Sequence, residues 1–188
     1  MTGKQLKIIG WGYEGEEISA DEHRTIAARF SDRFDGDFEI REAPADEEAI
    51  RLHPPCLDMS PALAPFSSIA KRDRLVHTYG KSFTDYVRQF DGDFSPAPDI
   101  VAFASSEADI MAVYEHAVRV NAAVIPFGGG TSVCGGVEPA VGGSYNGTIS
   151  LNLTRLDRIL KIDKTSRAPA SRAASASQRW RPSSRATA

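Results

Sequence analysis

Residues 124–133 are VIPFGGGTSV, a short apolar strand that runs directly into three glycines and two hydroxyl side chains. Because glycine lacks a Cβ atom, successive glycines can take positive φ angles and lie directly against a ligand. Their amides can then point into one concavity that receives phosphate oxygens, and the two hydroxyls add further donors. The stretch therefore predicts a phosphate-binding loop, the glycine loop, made of Pro126, Phe127, Gly128, Gly129, Gly130, Thr131 and Ser132.

The glycine loop matches neither of two common phosphate-binding motifs. The nucleoside triphosphate loop needs a lysine after its last glycine, and neither Gly130 nor Gly136 is followed by one. In the dinucleotide fingerprint G-x-G-x-x-G, Val133 stands where the third glycine belongs. On spacing alone the triplet is equally compatible with a flexible turn, although Pro126 fixes φ and delivers the strand in one direction.

The segment around the loop has the pattern of alternating strands and helix. Residues 100–103 are a short apolar run, and Ser106 has a carboxylate three residues later, the spacing of a capping box at a helix start. Residues 123–127 form a second strand, which predicts a parallel βαβ unit, and residues 148–153 predict a third strand with one buried face after the turn signal Asn146-Gly147. The apolar face of the intervening helix is expected at Ile110, Val113, Tyr114, Ala117 and Val120.

Composition divides the chain into three parts. Residues 1–95 contain a capping box at Ser19, five prolines between positions 41 and 65, and a helical stretch interrupted near Gly80, so we expect a helical, proline-rich N-terminal segment. The helix that Ser19 opens is expected to carry Ile26 and Phe30 on one face. Residues 96–167 hold the strand and helix pattern and the glycine loop.

Residues 168–188 consist mainly of Ala, Ser, Arg and Pro and contain no Asp, Glu, Leu, Ile, Val or Phe. Such a stretch cannot bury enough apolar surface to offset chain entropy, so we expect no packed structure there. Two interpretations are open: a natural disordered basic tail, or a reading frame lost after Arg167. We favour the lost frame, because the change falls where residues 160–163 should continue into more sheet.

Composition also excludes several classes of function. The net charge of −3 and pI near 5.8 disfavour a nucleic-acid partner. No run approaches the ~20 apolar residues of a membrane span, so we expect no transmembrane segment. Cys56 and Cys134 form no C-x-x-C pair, which favours a reducing, cytoplasmic location.

The spacing of metal-ligating residues predicts no metal site. His23, His53, His77 and His116 show no H-x-x-x-H or H-E-x-x-H spacing, and each is expected at the surface or half-buried. Cys134, close to the loop, is expected to be a small buried filler. Lys71, Arg72 and Arg74 form a basic patch that would matter for a phosphate-bearing substrate only if it faces the cofactor.

Three stretches resemble a known flavoprotein family. The string at residues 124–133 resembles the first FAD-binding loop of the vanillyl-alcohol oxidase and p-cresol methylhydroxylase superfamily. Residues 97–110, APDIVAFASSEADI, and the strands at residues 150–159 resemble the same domain, so the likeness covers residues 98–167. Residues 10–15 (GWGYEG) and 77–83 (HTYGKSF) resemble, more narrowly, alkyldihydroxyacetonephosphate synthase and its bacterial relatives.

The resemblance implies an α+β fold, the first lobe of a p-cresol methylhydroxylase-type FAD-binding domain behind the N-terminal segment. It implies FAD as the cofactor, bound non-covalently because the loop contains no histidine. In the family, a second FAD lobe, a substrate cap and catalytic Tyr, His and Arg residues would lie beyond Arg167. No catalytic residue is therefore assigned, and the chain itself is expected to be inactive and to bind FAD weakly or not at all.

The family also implies a chemistry for a complete protein. The synthase exchanges the acyl chain of an acyl-dihydroxyacetone phosphate for an alkyl chain in ether lipid synthesis, without net oxidation. A small-molecule or lipid-precursor substrate is expected, and a homodimer is compatible with the resemblance. Two alternatives stay open: an FAD-dependent oxidoreductase acting on 2-hydroxy acids such as lactate or glycolate, and a non-enzymatic domain that uses the glycine loop only as a turn.

Overall fold

A computed structural model describes residues 5–38, 40, 47–163, 165 and 168–171 of the chain. Its helices are α1 (Ala20–Phe34), α2 (Lys71–Val76), α3 (Phe83–Phe90) and α4 (Glu107–Val120), with a 3-10 turn at Ala64–Phe66. Its strands are β1 (Ser67–Ser68), β2 (Ile100–Phe103), β3 (Ala122–Phe127), β4 (Gly147–Asn152), β5 (Ile159–Asp163) and β6 (Ala168–Ser171). The mixture of helices and sheet confirms the predicted α+β class.

The main sheet has the strand order β1-β2-β4-β3. Both β2 and β3 run parallel to β4, while β1 pairs antiparallel with β2. The predicted parallel arrangement of the two strands around α4 is confirmed, but β4 lies between them. Phe103, Asn152 and Phe127 are register partners, so the three parallel strands end in one row.

Helix α4 begins at the predicted capping box and covers one face of the sheet. The Ser106 side chain accepts from the amide of Asp109, whose carboxylate in turn accepts from the amide of Ser106. Val113 and Ala117 are buried in the core as expected. The expectation for Tyr114 was wrong, because its side chain is 45 % exposed.

Asn146 and Gly147 do not form a hairpin turn. Because β3 and β4 are parallel, the chain between them cannot be a tight hairpin. Asn146 instead closes the carboxyl end of α4, where its Nδ2 donates to Val120 O at 2.9 Å.

Strand β4 is buried on both faces, which corrects the expectation of one buried face. Ile149 and Leu151 pack in the core cluster with α4. The other face carries buried polar side chains, Thr148, Ser150 and Asn152. The alternation of apolar and polar residues indicated solvent on that side, but part of the N-terminal segment covers it.

The N-terminal segment contains the expected helices, and α1 has the predicted capping box at Ser19. Ile26 and Phe30 are exposed, however, and no residue of α1 is buried. The expected helical stretch near Gly80 is two helices, α2 and α3. A second core cluster packs α2 and the segment after it, through Leu75 and Tyr79, against Ile50 and Phe94.

Regular structure continues four residues past the boundary expected at Arg167. Strand β6 pairs antiparallel with β5 through Ile159 and Ser171 and three further register pairs. Residues 172–188 lie outside the described residues, so the origin of the tail remains a prediction. Within the described helices, none is long and apolar enough to cross a membrane.

Candidate functional site

The glycine loop begins where β3 ends, beside the row formed by the three strand ends. The amide of Leu153 donates to Phe127 O at 2.9 Å, which extends the pairing of β3 and β4 to the start of the loop. In open parallel sheets, ligands bind outside the carboxyl ends of the strands. The fold therefore places the predicted loop at the edge where a ligand is expected.

The loop amides find no hydrogen-bond acceptor among the residues that the structure describes. No amide from Gly128 to Ser132 donates to an acceptor within the described part of the chain. Gly129 and Thr131 are exposed, while Gly128 and Ser132 are half-buried. Because a backbone amide is a strong donor, a row of amides without protein acceptors suits the oxygens of an anion.

The three glycines of the loop have different structural roles. Gly130 has φ +67°, and a Cβ atom there would lie 2.5 Å from Cζ of Phe127, so the fold itself needs glycine. A Cβ atom at Gly128 would have no neighbour within 4 Å. At Gly129 it would meet only Thr131 Cγ2, at 3.7 Å, and neither glycine has a left-handed φ.

The protein's own packing therefore does not require glycine at positions 128 and 129. Close approach of a ligand to the backbone is a physical reason for glycine at such positions. The open space beside these residues leaves room for a phosphate group, next to amides that have no acceptor in the described part of the chain. Gly128, Gly129 and the loop amides are therefore compatible with binding of the diphosphate of FAD.

His77 lies beneath the loop, at the row of strand ends. Its ring is 4.2 Å from the ring of Phe127 and 5.7 Å from that of Phe103, measured between centroids. Asn152 Nδ2 donates to His77 Nε2 at 2.8 Å, and His77 Nδ1 lies 2.7 Å from Asp73 O. Only the Nδ1-protonated neutral ring satisfies both contacts.

Burial lowers the pKa of His77 to about 4, so the ring is neutral at pH 7. The side chain is only 3 % exposed, as is that of His116. The expectation of surface or half-buried histidines was therefore wrong for these two. The sequence spacing of the histidines could not have indicated that His77 is buried beside the loop, because its partners Phe127 and Asn152 lie at least 50 residues away in the sequence.

Two backbones meet where residues 77–81 touch the loop. A Cβ atom at Gly80 would lie 2.1 Å from Ser132 O. The amide of Lys81 donates to the same oxygen at 2.6 Å, and its Nζ donates to Gly10 O at 2.5 Å. Lys81 therefore joins the loop to the N-terminal turn, whose Gly10 amide also donates to Gln89 Oε1.

The far end of the loop is held by a side-chain hydroxyl and an ion pair. Ser132 Oγ accepts from the amide of Gly136 at 3.0 Å. Arg88 on α3 pairs with Glu138 at 2.8 Å. Cys134 is exposed, so the expectation of a buried filler was wrong.

One cluster of metal-ligating side chains occurs in the described residues. The ligand atoms of His53, Cys56 and Asp99 lie within 4.8 Å of one another. Both Asp99 oxygens already accept backbone amides at 2.7 Å, from Cys56 and Thr148. The ring nitrogens of His53 lie within 3.0 Å of carbonyl oxygens. These contacts give the cluster a structural role in fixing the start of β2, and we assign no metal to it.

The basic patch on α2 is engaged away from the loop. Arg74 Nε donates to Pro98 O at 2.6 Å, just before β2 begins and therefore at the other end of the strands. Arg72 pairs with Glu14 and Glu47. The patch does not serve the glycine loop.

Comparison with known proteins agrees with this geometry. A family model described as FAD binding domain matches residues 98–175, which include the loop and the parallel strands. The match covers 78 of the 188 residues and indicates FAD as the cofactor of this segment.

Three curated proteins that are similar to the chain are named alkyldihydroxyacetonephosphate synthase. The chain is 30 % identical to the enzyme of Trypanosoma brucei brucei over 87 % of its own length and 31 % of the relative's. It is 30 % identical to that of Caenorhabditis elegans, over 86 % and 30 %, and 31 % identical to that of Dictyostelium discoideum, over 50 % and 15 %.

Solved structures of alkyldihydroxyacetonephosphate synthase have the same fold over most of this chain. Two of them superpose with TM-scores of 0.67 and 0.65, at 21 % and 24 % identity, each over 86 % of this chain. They extend well beyond it, since it covers 35 % and 33 % of their lengths. The chain thus spans about a third of the length of the curated synthases from Trypanosoma and Caenorhabditis.

Proposed function

We propose that the glycine loop holds the diphosphate of FAD, with residues 126–132 as the binding segment. The proposal rests on Gly128 and Gly129, two glycines that the fold does not require, and on loop amides that have no acceptor among the described residues. A diphosphate placed against them would accept several backbone hydrogen bonds at once, as anions do in backbone nests.

Each part of the loop has a distinct task in this proposal. The amides from Gly128 to Ser132 bind phosphate oxygens, and the exposed Thr131 adds a hydroxyl donor. Phe127 and Gly130 hold the loop in shape through their close contact. Bound FAD supplies a redox-active ring system, and the residues of this chain orient it through its diphosphate.

For the complete protein we propose the activity of its relatives, the exchange of an acyl for an alkyl chain on dihydroxyacetone phosphate in ether lipid synthesis. The catalytic groups would lie outside this chain, which spans about a third of those relatives. Non-covalent FAD, a lipid-precursor substrate, a cytoplasmic location and a homodimer belong to the same proposal. The chain by itself supplies one wall of the cofactor site, so it should bind FAD weakly and be inactive.

Weak binding can be measured by NMR titration of the ¹⁵N-labelled chain with FAD and, separately, with inorganic pyrophosphate. We expect both ligands to displace the amide signals of residues 128–132. The loop glycines suit this measurement, since glycine amides form a separate group in the ¹⁵N dimension. Perturbation elsewhere alone, or none at millimolar ligand, would leave the loop as a simple turn and remove the proposal.

The redox alternative is decided in a complete protein. If 2-hydroxy acids bleach the bound flavin during turnover, the protein is an oxidoreductase. If the alkyl exchange proceeds without an external electron acceptor, the synthase assignment stands.

A further inference from the structure

We propose that residues 77–81 act as a brace that fixes the conformation of the glycine loop and thereby sets its affinity for a diphosphate. The proposal rests on the proposed function of the loop and names residues that contact the loop rather than the ligand. Gly80 and His77 would be positioning residues.

The first contact of the brace is between two backbones. Gly80 is buried, and its Cα faces Ser132 O so closely that a Cβ atom would lie 2.1 Å from that oxygen. The Lys81 amide donates to the same oxygen at 2.6 Å. Because Ser132 O is held on the brace side, the peptide groups of the loop cannot rotate freely.

The second contact is between the His77 ring and the Phe127 ring at the start of the loop, which meet at an angle of 44°. The His77 ring packs on Phe127, and Gly130 lies against the same ring, where an added Cβ atom would be 2.5 Å from Cζ. Hydrogen bonds from Asn152 and to Asp73 O hold the His77 ring in one orientation. The brace thus supports the loop at its start, through Phe127, and at its end, through Ser132.

Preorganisation explains why these contacts matter for binding. A free glycine triplet has many backbone conformations, and ordering it on binding reduces affinity. The structure holds the triplet between two fixed points. Loosening one of them should weaken diphosphate binding without removing any group that touches the ligand.

The test compares Gly80→Ala with Gly143→Ala in the full 188-residue chain. Gly143 is exposed, has no left-handed φ and has no atom within 4 Å of a virtual Cβ, so it controls for the substitution itself. Amide signals of residues 128–132 are recorded without ligand, and inorganic pyrophosphate affinity is then measured. We expect Gly80→Ala to displace those signals and weaken binding about tenfold, as lost preorganisation does, with Gly143→Ala like wild type.

Unchanged loop signals or unchanged affinity in Gly80→Ala would overturn the brace. If the wild type binds no pyrophosphate, the proposed function fails, and the ligand-free signals alone decide whether the brace shapes the loop. If Gly80→Ala does not fold, His77→Gln replaces it. Glutamine can keep both hydrogen bonds but loses the ring under Phe127, so displaced loop signals support the brace and unmoved signals overturn it.

Discussion

Replacing the loop glycines one at a time separates what the fold needs from what the ligand needs. Gly128→Ala adds a methyl group into open space at a backbone without left-handed φ. We expect it to raise the free energy of unfolding by about 0.4–1 kcal/mol, because alanine restricts the unfolded chain. The same methyl group would occupy the space proposed for the diphosphate. Losing one charge-assisted hydrogen bond of about 1.5–3 kcal/mol would weaken binding roughly 10- to 150-fold.

Gly130→Ala should lower the free energy of unfolding, whereas Gly128→Ala should raise it. A left-handed φ of +67° costs alanine about 1–2 kcal/mol. The overlap of its Cβ with the Phe127 ring, at 2.5 Å, adds overpacking of about 1–3 kcal/mol. Gly130→Ala should therefore lower the free energy of unfolding by about 2–5 kcal/mol in total.

Urea denaturation and pyrophosphate titration of both variants, with Gly143→Ala as the control, measure these differences. The decisive result is a Gly128→Ala protein that is as stable as wild type or more so, yet binds diphosphate poorly. If Gly128→Ala unfolds as easily as Gly130→Ala, the fold does require glycine at position 128. If Gly128→Ala binds pyrophosphate like wild type, the diphosphate does not lie against this residue.

Three further predictions concern the surroundings of the loop. The pKa of His77 is about 4 in the folded protein and 6.5 in the unfolded chain, so the neutral ring contributes fully to the free energy of unfolding above pH 6.5. This contribution is lost as pH falls toward 4, because the unfolded chain then binds a proton that the folded protein does not. Urea titrations over this pH range should show a loss of about 3 kcal/mol, and a smaller loss in His77→Gln. Asp99→Ala leaves the amides of Cys56 and Thr148 without an acceptor and should lower the free energy of unfolding by about 2–5 kcal/mol; Asp99→Asn, which keeps an acceptor, should lose less, and equal losses would contradict this. Lys81→Met removes the hydrogen bond to Gly10 O and should make chymotrypsin cleave at the exposed Trp11 about tenfold faster. The control variant Lys71→Met should be cleaved at the wild-type rate. Equal cleavage rates in wild type and Lys81→Met would show that Lys81 does not hold the turn.

Local signals predicted the parts of the fold that local chemistry determines. The capping boxes at Ser19 and Ser106 begin α1 and α4, because a hydroxyl and a carboxylate three residues apart satisfy free amides wherever the helix lies. The run of apolar residues before the glycines became β3, with the loop at its carboxyl end. The resemblance of residues 124–133 to FAD-binding loops correctly indicated the cofactor.

Features that depend on distant packing could not be predicted in this way. The second face of β4 is polar in sequence and is nevertheless buried, and at Asn152 it contacts His77 of the N-terminal segment. The neutral, buried state of His77 depends on Asn152 and Phe127, which its own neighbourhood does not indicate. The sequence indicated Gly80 only as a break in a helix. Its contact with Ser132 joins residues that are far apart in the sequence and could not be predicted locally.

A crystal structure of the chain soaked with pyrophosphate would show whether the glycine loop binds a diphosphate. We predict that the anion lies within about 2.7–3.2 Å of amide nitrogens between Gly128 and Ser132, a normal hydrogen-bond distance. An anion bound elsewhere, for example against Lys71 and Arg74, or loop amides turned toward protein carbonyls, would show that the glycine loop is not the diphosphate site.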